Sequence, residues 1–382
     1  MPRLLIGADL CPIESNLPLF RAGDARGLFN DLLEEFEAAD LVVANLECPL
    51  IERPSPILKT GPVFGAEVSA INGIKAGGVD LLCLANNHIK DHGAAGIRST
   101  LKACRAQQLE TVGVGENLEE ASKIWVREID GMRVGFIALA EHEYSIARED
   151  EPGANPLDLI QFVRSMAAVR GQIDYLVVLF HGGDEFVVPS PRVQETCRFL
   201  IEMGASCVVV QHPHVLGGIE HHRGGHIVYG QGALVMDEAL YRDRASFHEG
   251  ILVRLQVEAP GQASLDYVPF RQSDPRPGAR RLRGDDEQAL RKCLEARSQR
   301  ILDPVFVKHE WREFALGKRH SYFSSLLGHN GPLMKLNRSG MLERLLYGKR
   351  LAKGVRNAVC CETHREALET IFDDLLRSLP EA

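Results

Sequence analysis

From residue 1 to about 235, short continuous apolar runs alternate with segments of helical period. The runs are 3–8 (RLLIGA), 40–46 (DLVVANL), 80–86 (DLLCLAN), 111–115, 123–129, 132–140 (MRVGFIALA), 174–181 (DYLVVLFH), 207–211 (CVVVQ) and 226–230. Most are β-branched and unbroken, the pattern of strands covered on both faces. Helical spacing falls near 26–38, 66–77, 93–107, 155–171 and 191–204. This succession predicts an α/β layered fold. Residues 248–259 and 264–272 alternate instead, which predicts an antiparallel pair closing a sheet. The segment PRPGARRLRGDD at 275–286 has linker composition. From 286 to 380 the pattern predicts four or five helices and no strand. The expected organisation is an α/β domain over 1–273 and an α-helical C-terminal domain over 286–382.

Composition narrows the class. With 25% charged and 45% hydrophobic residues, the chain is neither disordered nor collagen-like. A net charge of −8 argues against a protein that coats nucleic acid. The charge is uneven: residues 274–356 hold about 19 Lys/Arg against about 9 Asp/Glu, leaving the remainder near −18. Complementary halves favour docking of the basic stretch on the acidic domain or in a homodimer contact; recruitment of a polyanion is the other reading. Nine cysteines at irregular spacing, several in apolar runs, read as reduced buried thiols. The N-terminus lacks a signal-peptide pattern and no run reaches 18 apolar residues, so the expectation is a cytoplasmic protein with no membrane span. No P-loop pattern is present, and GVGEN at 113–117 lacks the dinucleotide fingerprint.

The polar residues that end the apolar runs carry the chemistry. Asp9 ends the first, Asn45 and Glu47 the second, and Asn86, Asn87 and His88 the third, with Asp91 three residues on. His181 ends a later run, and His212 and His214 follow another. The carboxyl ends of strands form the ligand crevice of open α/β sheets. Five such ends therefore deliver carboxylate, amide and imidazole to one rim, a donor set for borderline divalent metals. A Glu carboxylate has two oxygens and can bridge two ions about 3.5–4 Å apart. In QHPHV, the two histidines flanking Pro213 are expected on the same side of an extended backbone.

The runs ADLVVANLECPL, GVDLLCLANNHIKDHGAAGI, LFHGGDEFVVPSP, GASCVVVQHPHVLGGIE and IVYGQGALVMD, in this order, resemble the motifs of the CapA-type capsule and poly-γ-glutamate synthesis family. That family is a branch of the calcineurin-like metallophosphoesterases, and the resemblance covers roughly residues 3–260. It implies a four-layer α-β-β-α sandwich with a dinuclear site of Mn, Fe or Zn. One ion would be held by Asp9, Glu47 and His214, the other by Glu47, Asn87, His181 and His212. His88 would be the catalytic histidine, with Asp91 orienting its imidazole. Lys59 and Glu185 are weaker candidates for substrate contacts. The implied activity is hydrolysis of a phosphate mono- or diester. Hydrolysis or transfer at a γ-glutamyl amide, or a non-catalytic role in polymer assembly, are the alternatives. The expected partner is thus a small phosphorylated or γ-glutamyl substrate.

The chain also departs from the pattern. Cys11 stands where the wider superfamily has a histidine, and is expected to be a buried inert thiol rather than a ligand. Gly182 and Ala233 replace a family Trp and Asn, so the substrate pocket is expected to differ from the family's usual one. His221, His222 and His226 around a Gly-Gly turn read as a surface hairpin. Cys360, Cys361 and His364 cannot complete a tetrahedral site by themselves.

Overall fold

The computed structural model describes residues 1–239, 241–326, 337 and 348–378. It divides into two compact units, Met1–Trp311 and Arg312–Ala382. In chain order the principal strands of the first are β1 (Arg3–Leu10), β2 (Leu41–Leu46), β3 (Leu81–Cys83), β4 (Glu110–Val112), β5 (Trp125–Ile129), β6 (Met132–Ala140) and β7 (Tyr175–His181). They continue with β8 (Cys207–Gln211), β9 (Ile219–His222), β10 (Gly225–Val228), β11 (Ala233–Val235), β12 (Glu249–Ala259), β13 (Gln262–Gln272) and β14 (Ala279–Arg281). One sheet has the order β14-β13-β12-β1-β2-β3-β4, with β11 also paired to β1; the other has the order β9-β10-β8-β7-β6-β5. The predicted antiparallel pair is β12–β13, which pairs Glu249 with Arg271 at one end and Ala259 with Gln262 at the other.

Alternation in the second sheet shows how the layers stack. Val134, Phe136, Ala138, Val177, Leu179 and Val209 join the core that contains Leu4, Ile6 and Val43 of the first sheet. Their neighbours Ile137, Leu139, Val178, Phe180, Val208 and Val210 pack instead with Cys197, Leu200 and Ile201 of the helix Pro191–Glu202 and with Phe162 of the helix Leu159–Ala168. A period of two with apolar residues on both phases requires a cover on each face. Helices near the first sheet supply Phe20, Phe29, Ile74, Ile97 and Leu101, completing the α-β-β-α sandwich. Each fully buried side chain of this kind stabilises by about 1.5–3 kcal/mol. That surplus offsets the burial of Asp9, Asn45, Glu47, Asn86 and Asp91, all fully inaccessible.

Several boundaries differ from the sequence expectation. The helix expected over 26–38 breaks at Asn30, whose φ of 45° ends Ala25–Phe29 before Leu33–Ala38 begins. The run 80–86 is regular only to Cys83; the rest forms the turn that carries Asn86–His88. The strand expected over 111–115 splits at Gly113, and Val114–Gly115 pairs with Gly153–Ala154 rather than with the main sheet. The expected linker contains β14: Ala279–Arg281 pairs with β13, and the Arg281 amide donates to the Asp31 carboxylate. The helix Gly284–Arg300 buries Leu290 and Leu294 in the main core, and the compact first unit continues to Trp311. The second unit contains the helices Arg319–Leu326, Lys349–Cys360 and Glu362–Ser378. Part of the predicted helical region and of the basic stretch, residues 327–336 and 338–347, lies outside the described residues, as do 379–382.

Gly113 allows the two sheets to meet beneath the polar rim. It has φ +84°, and a Cβ there would lie 2.6 Å from Ala138 Cβ and 2.7 Å from Ala85 Cβ. Gly113→Val is therefore expected to destabilise by about 1–3 kcal/mol through overpacking, read as a lower urea midpoint at unchanged slope.

Candidate metal centre

β1 and β2 are parallel neighbours, as are β7 and β8, and their carboxyl ends meet at one rim. Asp9 lies opposite Asn45 in the ladder, Glu47 follows β2, His181 ends β7 and His212 follows β8. The residues expected at the centre do converge. Glu47, His181 and His212 place one donor atom each within 4.8 Å of one another, and so do Asp9, Glu47 and His214. Glu47 belongs to both groups. Its Oε1 is 3.4 Å from His181 Nε2, 3.4 Å from His214 Nε2 and 4.0 Å from His212 Nδ1, while His214 Nδ1 is 3.2 Å from Asp9 Oδ2. Asn87 joins the first group, its Oδ1 3.0 Å from His181 Nε2.

A chain of buried amides holds these groups in place. Asn45 donates to Asp9 Oδ1 (2.8 Å), and Asn86 donates to Asn45 Oδ1 (3.0 Å) and to the Leu46 carbonyl. The His88 amide then donates to Asn86 Oδ1 (3.1 Å). The turn from β3 is thereby tied to β1 and β2, and the orientation of Asp9 depends on side chains from three strand ends.

The histidines after β8 are not extended as the sequence reading expects. His212 and His214 have φ of 95° and 53°, an uncommon conformation for residues with a side chain. Pro213 between them excludes a regular strand, and the turn brings the two rings to 5.7 Å between centroids. Backbone strain of this kind costs about 1–3 kcal/mol and persists only where surrounding structure imposes it. Here the His212 amide donates to Asp9 Oδ2 (3.3 Å), which ties the strained turn to the same carboxylate.

The electrostatics of the donors are those of a cation site. Burial would raise Glu47, yet His214 and His181 hold its carboxyl well below the ordinary range. Burial, reinforced by His181 and His214, pushes His212 well below its usual value, leaving a neutral imidazole with a free lone pair. Burial also opposes charge on His214, but Glu47 and Asp9 raise it well above the usual value. Both Glu47 oxygens and the Nδ1 atoms of His181, His212 and His214 are buried without a hydrogen-bond partner. Orphaned buried carboxylate oxygens are rare and costly. The unpartnered Glu47 oxygens and His212 Nδ1, set among converging imidazoles, fit a site for a divalent metal.

His88 and Asp91 stand beside this centre. His88 Nδ1 is 2.6 Å from Asp91 Oδ2, and its ring packs on Phe64 with centroids 4.4 Å apart. Lys59 points inward, its side chain 2% exposed and its Nζ 2.6 Å from Asp91 Oδ1. Glu185 accepts from the Tyr241 hydroxyl and lies 3.8 Å from the Arg244 guanidinium. The Cys11 thiol is fully buried, and burial together with Cys48, Glu47 and Glu238 raises it well above the usual thiol value. Such a thiol is a weak nucleophile.

Two groups escaped the sequence reading. Glu238 is buried, and burial, with Glu185 and Glu47 acting against His214, raises its carboxyl to about 7. Glu143 accepts from Asn87 Nδ2 at 3.4 Å. Neither ends a principal strand. Only the packing of 237–248 and the loop after β6 brings them in, so no strand-end pattern marks them. Among the described residues no other group of three His, Cys, Asp or Glu converges on a metal-sized space. His222 and His226 bond instead to Glu202 and to the Ala263 carbonyl.

A family model described as bacterial capsule synthesis protein PGA_cap matches residues 12–238. The Bacillus anthracis "Capsule biosynthesis protein CapA" is 30% identical over 262 residues, covering 65% of this chain and 63% of that protein. The "PGA biosynthesis protein CapA" of Bacillus subtilis is 28% identical over 252 residues, covering 64% and 65%. This chain thus spans slightly less than two thirds of the length of these relatives. Among solved structures, a Mycoplasma pneumoniae phosphatase covers 72% of this chain and 95% of its own at 12% identity and TM-score 0.45, too distant a likeness to decide the chemistry.

Proposed function

Since the chain belongs to the bacterial capsule synthesis protein PGA_cap family, whose model spans more than half of it, we propose that it is a dinuclear metal-dependent phosphoesterase. The observation that carries this reading is Glu47, a fully buried carboxylate shared by two donor groups with neither oxygen hydrogen-bonded. One ion is assigned to Asp9, Glu47 and His214, the other to Glu47, Asn87, His181 and His212. When bound, such ions polarise a phosphoryl group and lower the pKa of water. Around them the protein supplies orientation. Asn45 fixes Asp9, Asp91 fixes His88, and the strained turn aims His212 and His214 inward. His88 stabilises the transition state or protonates the leaving oxygen. The substrate is a small phosphate mono- or diester.

The names of the relatives favour a second reading, hydrolysis or transfer at a γ-glutamyl amide by the same centre, and after it a non-catalytic role in polymer assembly. Nine free cysteines, six of them buried, support a reducing compartment, in keeping with a cytoplasmic protein. Among the described residues no helix is long and apolar enough to cross a membrane.

The test is hydrolysis of p-nitrophenyl phosphate and bis-p-nitrophenyl phosphate with added Mn²⁺, alongside metal analysis. Hydrolysis that is abolished by a chelator and restored by Mn²⁺ is the expected result. Bound metal without hydrolysis would move the reading to γ-glutamyl peptides, assayed in the same way. Metal binding should also raise the melting temperature, by the equivalent of about 2.7 kcal/mol for each site at a free concentration 100-fold above its Kd.

A further inference from the structure

Lys59 lies in the irregular segment 52–65, which is bonded to the turn after His88 at several points. The Ile57 amide donates to the Asp91 carbonyl (2.9 Å), the Ser55 amide to His92 Nδ1 (2.8 Å), the Ser55 hydroxyl to the His92 carbonyl (2.9 Å) and the Phe64 amide to Asp91 Oδ2 (2.7 Å). These bonds carry the Lys59 side chain into the interior. Its Nζ has Asp91 Oδ1 at 2.6 Å, the Asn87 carbonyl at 3.4 Å and His88 Nδ1 at 3.4 Å. An ammonium group has three donors and no acceptor. His88 Nδ1 cannot both accept from Lys59 and donate to Asp91, and the Asp91 contact at 2.6 Å is the shorter. The two oxygens of Asp91 therefore divide their work: Oδ1 serves Lys59, while Oδ2 serves His88 and Phe64.

We propose that Lys59 is a positioning residue for His88 and not a substrate contact. By occupying Oδ1 it leaves Oδ2 as the acceptor for His88 Nδ1–H. The proton of the neutral imidazole then resides on Nδ1, and Nε2 is the nitrogen left for a leaving group, to which it gives a proton only after taking up a second one from solvent while Asp91 holds Nδ1–H. The tautomer a histidine adopts is set by the hydrogen bond its other nitrogen makes, and here that bond depends on a buried cation one step further out. Loss of Lys59 leaves Oδ1 buried without its cation, so the carboxylate reorients and the His88 bond is no longer unique. The statement about the leaving group rests on the proposed phosphoesterase activity, whereas the statement about the tautomer does not.

The test therefore has two arms. In ¹⁵N-histidine-labelled metal-free protein, His88 is expected to show the Nδ1–H tautomer with a downfield, hydrogen-bonded proton. Lys59→Met should lose that proton or mix the tautomers, and Lys59→Arg should recover it in part. In the Mn²⁺ assay, Lys59→Met should lower kcat by about 10–100-fold, with KM unchanged because a lysine that touches no substrate contributes no ground-state binding. A raised KM with an unaltered His88 signal would make Lys59 a substrate contact and overturn the proposal. An unaltered His88 signal with unaltered kcat would overturn it as well. Should Lys59→Met not fold, Lys59→Gln keeps a neutral donor to Asp91 and is read by the same two measurements. If the parent protein hydrolyses no phosphate ester, the proposed function falls, and the NMR arm still decides the role of Lys59.

Discussion

Glu47→Ala is expected to strip both ions from the protein at once and to lower phosphoesterase activity by about 10³-fold. The metals' stabilisation of developing charge amounts to several kcal/mol, and each 1.36 kcal/mol is a factor of ten in rate. Glu47 is the one residue common to both donor groups, with its Oε1 3.4 Å from a nitrogen of each group's histidine. Removing it leaves Asp9 and His214 on one side and Asn87, His181 and His212 on the other. Those remnants have lost the carboxylate that offsets the mutual repulsion of two dications. Asp9→Asn and His181→Ala, each confined to one group, should reduce metal content to about half and leave the other ion in place. Plasma-emission metal analysis of the three variants, purified side by side, reads the difference directly. Retention of one ion at parental affinity in Glu47→Ala would mean that the two groups are independent sites, and the bridging role would be lost. Glu47→Asp retains charge but draws the oxygens back by a methylene, so it should weaken both sites without abolishing either.

The convergence of Asp9, Glu47, Asn87, His181, His212 and His214 could be read along the chain because each ends or closely follows a continuous apolar run. In a parallel sheet that position is enough to bring residues far apart in sequence to one rim. The layered arrangement was legible for the same reason: runs such as DYLVVLFH are apolar on both phases and need cover on both faces. What periodicity does not encode was read less well. Asn30 and Gly113 divide apparently continuous segments through a positive φ, a property of the local backbone rather than of side-chain pattern. The edge strand Ala279–Arg281 lay inside a Pro- and Arg-rich stretch, and it forms because β13 offers an unpaired edge and Asp31 an acceptor. The rigid extended presentation expected of His212 and His214 proved to be a left-handed turn, although the outcome, two imidazoles aimed at the same carboxylate, Glu47, was the same. Glu238 is invisible to any motif, because its environment comes from burial and from the charges of His214, Glu185 and Glu47, which the tertiary fold brings near.

The second large effect separates chemistry from metal binding. His88→Ala is expected to lower kcat by about 10²–10⁴-fold, the range for loss of a positioned proton donor, while both ions remain bound. His88 belongs to neither converging donor group, yet it directly follows Asn87 and its ring is committed to Asp91, so it stands beside the centre without forming part of it. Its Nδ1 is committed to Asp91 at 2.6 Å and its ring is packed on Phe64, which leaves Nε2 as the free nitrogen. A proton delivered from Nε2 of the doubly protonated ring matters most when the leaving oxygen is a poor leaving group. The loss in His88→Ala should therefore be larger for an alkyl phosphate than for p-nitrophenyl phosphate, whose leaving group departs readily as the anion. Asp91→Asn should show the same leaving-group dependence in weaker form, because the imidazole remains but its tautomer is no longer imposed. Equal losses across leaving groups would assign His88 to electrostatic stabilisation of the phosphoryl oxygens. Loss of metal together with activity would make it a ligand, against the geometry in which its nearest carboxylate partner is Asp91 rather than Glu47 or Asp9.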